Sequence, residues 1–180
     1  MGMTLLLGGV ASGKSRTATA LAVGSGQQVT LIATAEALDD EMVARIARHR
    51  AQRPATWTVV EEPRALTAAI ERAAAPDVLI VDCLTLWVSN LLGDGATSDH
   101  EVLALAAAAA KASASRDAPT IVVSNEVGAG IVPANALARR YRDLLGRVNA
   151  TFADEAGTVA LMVAGRAVTL SDPIATLEDR

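Results

Sequence analysis

Short apolar runs alternate along the chain with longer stretches whose apolar positions recur at helical spacing. The runs Met3–Leu7, Val29–Ala33, Thr58–Val60, Val78–Val81, Thr120–Ser124, Thr158–Val163 and Ala167–Leu170 read as strands. Val78-Leu79-Ile80-Val81 has no polar position, which suits a strand covered on both faces. The intervening stretches predict helices over Lys14–Val23, Asp39–Arg50, Arg64–Ala74, Leu84–Leu92, Glu101–Ser115 and Ala134–Ala156, the last slightly irregular at Gly146. Pro63 suits a helix start, where its missing N–H is not needed. Strand–helix alternation of this kind predicts an α/β fold with a mostly parallel sheet and helices on both faces. Ala164-Gly165-Arg166 is short enough for a hairpin, so the last strand is expected as an antiparallel edge. No internal repeat and no linker divides the chain, so residues 1–180 are expected to form one domain.

Composition narrows the function classes. The chain is 51% hydrophobic and 20% charged, a globular balance able to bury a core. A net charge of −4 argues against a broad nucleic-acid-binding face. The single cysteine, Cys83, excludes an intramolecular disulfide framework and a cysteine-cluster metal site, and suits the cytoplasm. No apolar stretch approaches the roughly 18 residues of a membrane span, so no stable membrane insertion is expected. Met3–Leu7 is too short for a secretory leader. Met1-Gly2 fails as a myristoylation signal because Leu6 stands where Ser or Thr is required. Asn149-Ala150-Thr151 fits a glycosylation sequon that nothing else supports.

Gly8-Gly9-Val10-Ala11-Ser12-Gly13-Lys14-Ser15 matches the phosphate-binding pattern G-x-x-x-x-G-K-[ST]. It follows a predicted strand and opens a predicted helix, the context in which successive backbone N–H groups can face phosphate oxygens. Lys14 is expected at the β- and γ-phosphates, and the Ser15 hydroxyl at Mg²⁺. Asp82, directly after the buried Val78–Val81 run, is the acid expected to partner that metal, with a helix N-cap as its plainer role.

Of the two histidines, His100 sits in a polar stretch beside Asp99 and reads as a solvated helix-start residue. His49 shares about 60° of helix arc with Met42 and Ile46. Arg45, Arg48, Arg50 and Arg53 lie around it in sequence, able to hold phosphate oxygens beside a nucleophilic imidazole; a histidine capping helix carbonyls is the plainer reading. Ser124 to Pro133 follows a predicted strand and so falls at the same sheet edge as the phosphate loop. Arg139-Arg140-Tyr141-Arg142 reads as a solvated basic face.

Beyond these local readings, an ordered series of motifs resembles one enzyme family. It comprises Gly8 to Ser15, Ala33-Thr34-Ala35, Asp40-Glu41-Met42, Arg45-Ile46, His49-Arg50, Arg53-Pro54, Trp57 with Glu61, and Asp82-Cys83-Leu84-Thr85. It continues through Asn90-Leu91-Leu92, Asn125-Glu126-Val127-Gly128, Gly130-Ile131-Val132-Pro133, Arg142-Asp143, Gly146 and Asn149. The family is that of bifunctional adenosylcobinamide kinase/adenosylcobinamide-phosphate guanylyltransferases of cobalamin synthesis. The resemblance runs from about Leu5 to Gly165. It implies a RecA-like P-loop fold, phosphorylation of the aminopropanol hydroxyl of adenosylcobinamide by ATP or GTP, and transfer of GMP from GTP to adenosylcobinamide phosphate. The implied carrier of GMP is His49. Implied nucleotide contacts are Gly8, Gly9, Val10, Ala11, Ser12, Gly13, Lys14, Ser15, Thr34, Ala35, Glu36, Arg50, Ala51, Gln52, Arg53, Glu61 and Asp82, with a homotrimeric assembly. Val10-Ala11 departs from the Ala-Arg pair frequent in the family, which removes a guanidinium near the phosphates but not the N–H cradle.

A P-loop kinase of another small metabolite, with His49 only structural, is the nearest alternative. A RecA-like motor acting on nucleic acid or protein is a more distant one, disfavoured by the acidic balance and the single short domain.

Overall fold

The computed structural model describes residues 2–37, 39–51, 53–93 and 95–172. In chain order the elements are β1 (Met3–Gly8), α1 (Lys14–Gly24), β2 (Val29–Ala33), α2 (Asp40–Ala51), β3 (Thr58–Glu61), α3 (Leu66–Arg72), β4 (Val78–Asp82), α4 (Leu84–Leu92), α5 (Asp99–Ala114), β5 (Thr120–Val123), α6 (Ala136–Glu155), β6 (Thr158–Val163) and β7 (Arg166–Leu170). The strands form a seven-stranded sheet in the order β3-β2-β4-β5-β1-β6-β7. Every pairing is parallel except the β6–β7 hairpin, as the short Ala164-Gly165 turn requires.

Alternation along the central strands divides the core between the two faces of the sheet. On one face Leu5, Leu79, Val81 and Val122 meet Leu66, Trp87, Val102, Leu144 and Phe152 from α3, α4, α5 and α6. On the other, Leu6, Leu31, Ile80, Ile121 and Val123 meet Ala18 and Ala22 of α1. Each fully buried Leu or Phe contributes roughly 1.5–3 kcal/mol, so the four-helix face supplies most of the stability. Small residues at Ala18 and Ala22, one turn apart, let α1 lie close against the strands below the phosphate loop.

Several boundaries differ from the sequence expectation, each for a local reason. Helix α3 starts at Leu66, not Arg64, because the Glu62 carboxylate accepts the backbone N–H groups of Arg64 (3.1 Å) and Ala65 (2.8 Å) and holds them in a turn. Helix α6 starts at Ala136, where Asn135 Oδ1 accepts the Ala138 N–H at 2.7 Å. It runs through Gly146 without interruption, since Leu144, Leu145, Val148 and Phe152 are buried along one face. Packing of that stripe outweighs the glycine cost of about 1 kcal/mol.

Candidate active site

Parallel strands deliver their C-terminal ends to one edge of the sheet, and there β1, β2, β4 and β5 border a cleft of about 1190 Å³. Val10 to Arg16 form one wall, residues 41–43 and 46–50 of α2 another, and Asp82, Cys83, Leu86 and Asn125 the floor between them.

The phosphate loop owes its shape to glycine at two positions. Gly8 has φ +148°, and a Cβ there would come within 2.4 Å of the Met162 carbonyl oxygen and 2.8 Å of Ser12 Oγ. Gly13 caps α1 at φ +101°, and a Cβ would lie 3.1 Å from Gly165. The β6–β7 turn therefore presses against the loop, and Gly165 N–H donates to the Ser12 carbonyl at 2.9 Å. The loop opens directly into α1, placing the positive end of that helix at the cleft. Lys14, only 7% exposed, donates through Nζ to the carbonyls of Gly8 (2.8 Å) and Gly9 (2.6 Å) and to Ser12 Oγ (3.2 Å). The ammonium thus stands where incoming phosphate oxygens would replace those acceptors.

At the neighbouring strand ends, Thr34 ties β2 to β4. Its hydroxyl donates to the Cys83 carbonyl at 2.7 Å and accepts the Cys83 N–H at 2.9 Å. Asn90 Nδ2 donates to the Thr34 carbonyl at 2.7 Å and to the Pro63 carbonyl at 3.1 Å. This buried clamp fixes the backbone on either side of Asp82. Asp82 itself ends β4, and the N-cap position of α4 is taken by Cys83, so the capping role for Asp82 is set aside.

The Asp82 carboxylate faces two basic groups: Arg53 Nη2 at 3.7 Å and His49 Nδ1 at 4.0 Å. Farther out, Arg50 pairs with Glu61 of β3. Burial lowers the Arg53 pKa against the opposing pull of Asp82, while burial first and the Asp82 charge second push the Cys83 thiol up to about 11. Tyr141, whose hydroxyl donates to the Thr85 carbonyl at 3.1 Å, also has its pKa raised by burial.

The cleft brings together Val10, Ala11, Ser12, Gly13, Lys14, Ser15, Ala35, His49, Arg50, Arg53, Glu61 and Asp82 from the residues the sequence singles out. Gly8 and Gly9 contribute the carbonyls that receive Lys14, and Thr34 acts from behind as a clamp. Glu36 and Ala51 do not line it, and Gln52 and the Arg45 side chain lie outside the described residues. His100 is exposed in the first turn of α5, away from the cleft. Sequence reasoning missed Leu86 and Ala164-Gly165 as cleft residues; the hairpin turn was legible, but its contact with the phosphate loop depends on β6 lying beside β1. Among the described residues no group of three or more His, Cys, Asp and Glu is placed to hold a metal ion. Ser15 and Asp82 line the cleft with oxygens of the kind a hard cation takes, as do the Glu41 and Glu61 residues.

A P-loop on one wall and a histidine on the other is an arrangement many nucleotide enzymes could use, so comparison decides the family. The model for cobinamide kinase/cobinamide phosphate guanyltransferase matches residues 4–170. The chain belongs to this family. Similar relatives include the bifunctional adenosylcobalamin biosynthesis protein CobP of Pseudomonas aeruginosa, 47% identical over 89% of this chain and 92% of that protein. CobU of Salmonella typhimurium, another bifunctional adenosylcobalamin biosynthesis protein, is 42% identical over 93% of this chain and 99% of its own length. Fold likeness extends further. The RadB recombinase aligns with TM-score 0.51 at 15% identity, covering 89% of this chain and 73% of its own. The flagellar accessory protein FlaH of Methanocaldococcus jannaschii aligns with TM-score 0.51 at 14% identity, covering 97% and 80%. The family member described here is thus a bifunctional enzyme on a RecA-like P-loop fold, as the motif series implied.

Proposed function

We propose that this chain phosphorylates the aminopropanol hydroxyl of adenosylcobinamide with ATP or GTP, and then transfers GMP from GTP to adenosylcobinamide phosphate through a GMP-histidine intermediate on His49. The observation that carries this reading is that His49 and Lys14 line one cleft, with Asp82 in the same cleft facing the imidazole.

For the kinase step, backbone N–H groups and Lys14 bind the triphosphate, and the substrate hydroxyl attacks the γ-phosphorus, losing its proton to water, as the bond from that phosphorus to the β-phosphate oxygen breaks. Mg²⁺ bound through Ser15, Asp82 and the phosphates would supply charge neutralisation there. For the transferase step, His49 presents Nδ1 to Asp82 at 4.0 Å, and a ring proton on that nitrogen leaves the Nε2 lone pair free. Nε2 attacks the α-phosphorus of GTP and pyrophosphate leaves; a phosphate oxygen of adenosylcobinamide phosphate then attacks the same phosphorus, and the P–N bond electrons return to the ring. Arg50 and Arg53 flank His49 in the cleft, where guanidinium groups offset charge on the leaving pyrophosphate.

A homotrimer working in the cytoplasm belongs to the same proposal. Support for assembly comes from β7, exposed along its whole length, with Val168 at 60% and Leu170 at 42%. Support for the compartment comes from nucleoside triphosphate substrates, and among the described residues no helix is long and apolar enough to cross a membrane.

His49→Asn tests the proposal. It keeps size and polarity but removes the nucleophilic nitrogen, so guanylyl transfer is expected to fall roughly a thousandfold or more. Phosphorylation of adenosylcobinamide needs no enzyme-bound GMP and is expected to persist. Equal loss of both activities in a variant with a wild-type melting curve contradicts the assignment.

A further inference from the structure

The segment after β5 carries a polar residue whose backbone is fixed from several directions and whose side chain makes no hydrogen bond among the described residues. Val123 pairs in register with Leu6 on one side and Asp82 on the other. Beyond Val123 the chain stays laddered to β1: Ser124 N–H donates to the Leu6 carbonyl at 3.0 Å and Glu126 N–H to the Gly8 carbonyl at 3.1 Å. Asn125 therefore falls between the first glycine of the phosphate loop and the Asp82-Cys83 end of β4.

Its backbone is held by a buried polar frame. The Asn125 N–H donates to Thr85 Oγ1 at 2.8 Å, and its carbonyl accepts from Asn149 Nδ2 at 3.0 Å. Asn149, 5% exposed on α6, in turn accepts Ser124 Oγ at 2.6 Å. The next residue, Glu126, is occupied, since its carboxylate accepts the Gly128 N–H. The Asn125 side chain lines the cleft with Lys14, Ser15 and Asp82, and among the described residues its carboxamide makes no hydrogen bond. Buried polar groups cost stability unless satisfied, and this frame satisfies its own while leaving the half-buried Asn125 residue open to the cleft.

We propose that Asn125 binds the terminal phosphate of the nucleoside triphosphate, donating from Nδ2 to a γ-phosphate oxygen. The proposal rests on the reading that the P-loop cradles the triphosphate. As the γ-phosphorus passes from the β-phosphate oxygen to the substrate hydroxyl oxygen, Asn125 gives up and receives no proton. It holds an equatorial oxygen while charge spreads over the phosphoryl group. A neutral donor fits this place, because Lys14 already supplies the fixed positive charge on the other side. Asn125 thereby distinguishes triphosphate from diphosphate and is a catalytic residue of the kinase step.

Calorimetric titration with a β,γ-non-hydrolysable GTP analogue and with GDP tests this, every chain compared carrying His49→Asn so that the analogue's α-phosphorus is not attacked. Asn125→Ala is expected to lose about ten- to a hundredfold of affinity for the triphosphate analogue, the range for a hydrogen bond to a charged group, with GDP binding unchanged. Asn125→Asp keeps the shape but opposes the phosphate charge, and is expected to bind the analogue more weakly still. A ratio of analogue to GDP affinity unchanged from the His49→Asn chain in either folded variant overturns the assignment of Asn125. Failure of the His49→Asn chain to bind either nucleotide overturns the cradle reading beneath it.

Discussion

Asp82 concentrates several demands on one carboxylate. It ends a fully buried strand, faces Arg53 at 3.7 Å and His49 at 4.0 Å, and stands beside the Cys83 thiol. The side chains of Arg53 and Asp82 are only 14% and 16% exposed, so this pairing is less screened than the outer pair of Arg50 with Glu61. Burial first and that charge second keep Cys83 inert: with its pKa pushed up to about 11, the thiol stays protonated at neutral pH although it lines the cleft. Alkylation requires the thiolate, so iodoacetamide at pH 8 is expected to modify Cys83 roughly a hundredfold more slowly than an ordinary thiol. The sign follows from the raised value: stabilisation from the neutral buried thiol is complete below the unfolded thiol's pKa and is lost as pH rises toward 11. Rapid labelling of the native chain at pH 8, timed by mass spectrometry, contradicts that placement. At this scale the sequence was informative where a motif fixes local geometry, as from Gly8 to Ser15. It left two roles open at Asp82, metal partner and helix cap, and the Cys83 N-cap of α4 removes only the second.

The helices differ in what holds them. Helix α5 begins with a capping box: Ser98 Oγ accepts the Glu101 N–H at 3.3 Å, and the Glu101 carboxylate accepts the Ser98 N–H at 2.8 Å. Ser98→Ala is expected to cost about 0.5–2 kcal/mol, read as a lower denaturant midpoint at unchanged slope. No change in midpoint contradicts the capping role. Helix α2 has no fully buried position among its described residues and reaches the body through Arg50 with Glu61 and His49 beside Asp82. That explains why a helix was legible over Asp39–Arg50 while its role was not. Acidic Asp40 and Glu41 in the first turn and basic Arg48, His49 and Arg50 in the last favour the helix by themselves. The partners of its basic end, in contrast, come from β3 and β4 and could not be read from spacing along α2. The start of α3 was misread for a related reason, since Pro63 suggests a helix start that the Glu62 side chain moves to Leu66.

Across the whole molecule, strand order turns separate motifs into a site. Insertion of β5 between β1 and β4 brings Asn125 beside both the phosphate loop and Asp82, although these lie far apart in the chain. Strand identity, parallel pairing and the antiparallel edge were all legible from apolar runs and turn lengths. The order β3-β2-β4-β5-β1-β6-β7 was not, because a run such as Thr120–Ser124 does not specify its neighbours. The contact of Gly165 with Gly13 was hidden for the same reason. The proposed function makes this a chain that stores GMP on a histidine of α2 while its P-loop serves both reactions. The most direct measurement is the intact mass of the unsubstituted protein after incubation with GTP and Mg²⁺, followed by peptide mapping. The expected result is one GMP per chain, stable at alkaline pH, lost in mild acid, and located on the peptide that carries His49. Absence of the adduct, or its persistence in His49→Asn, contradicts the GMP-histidine route.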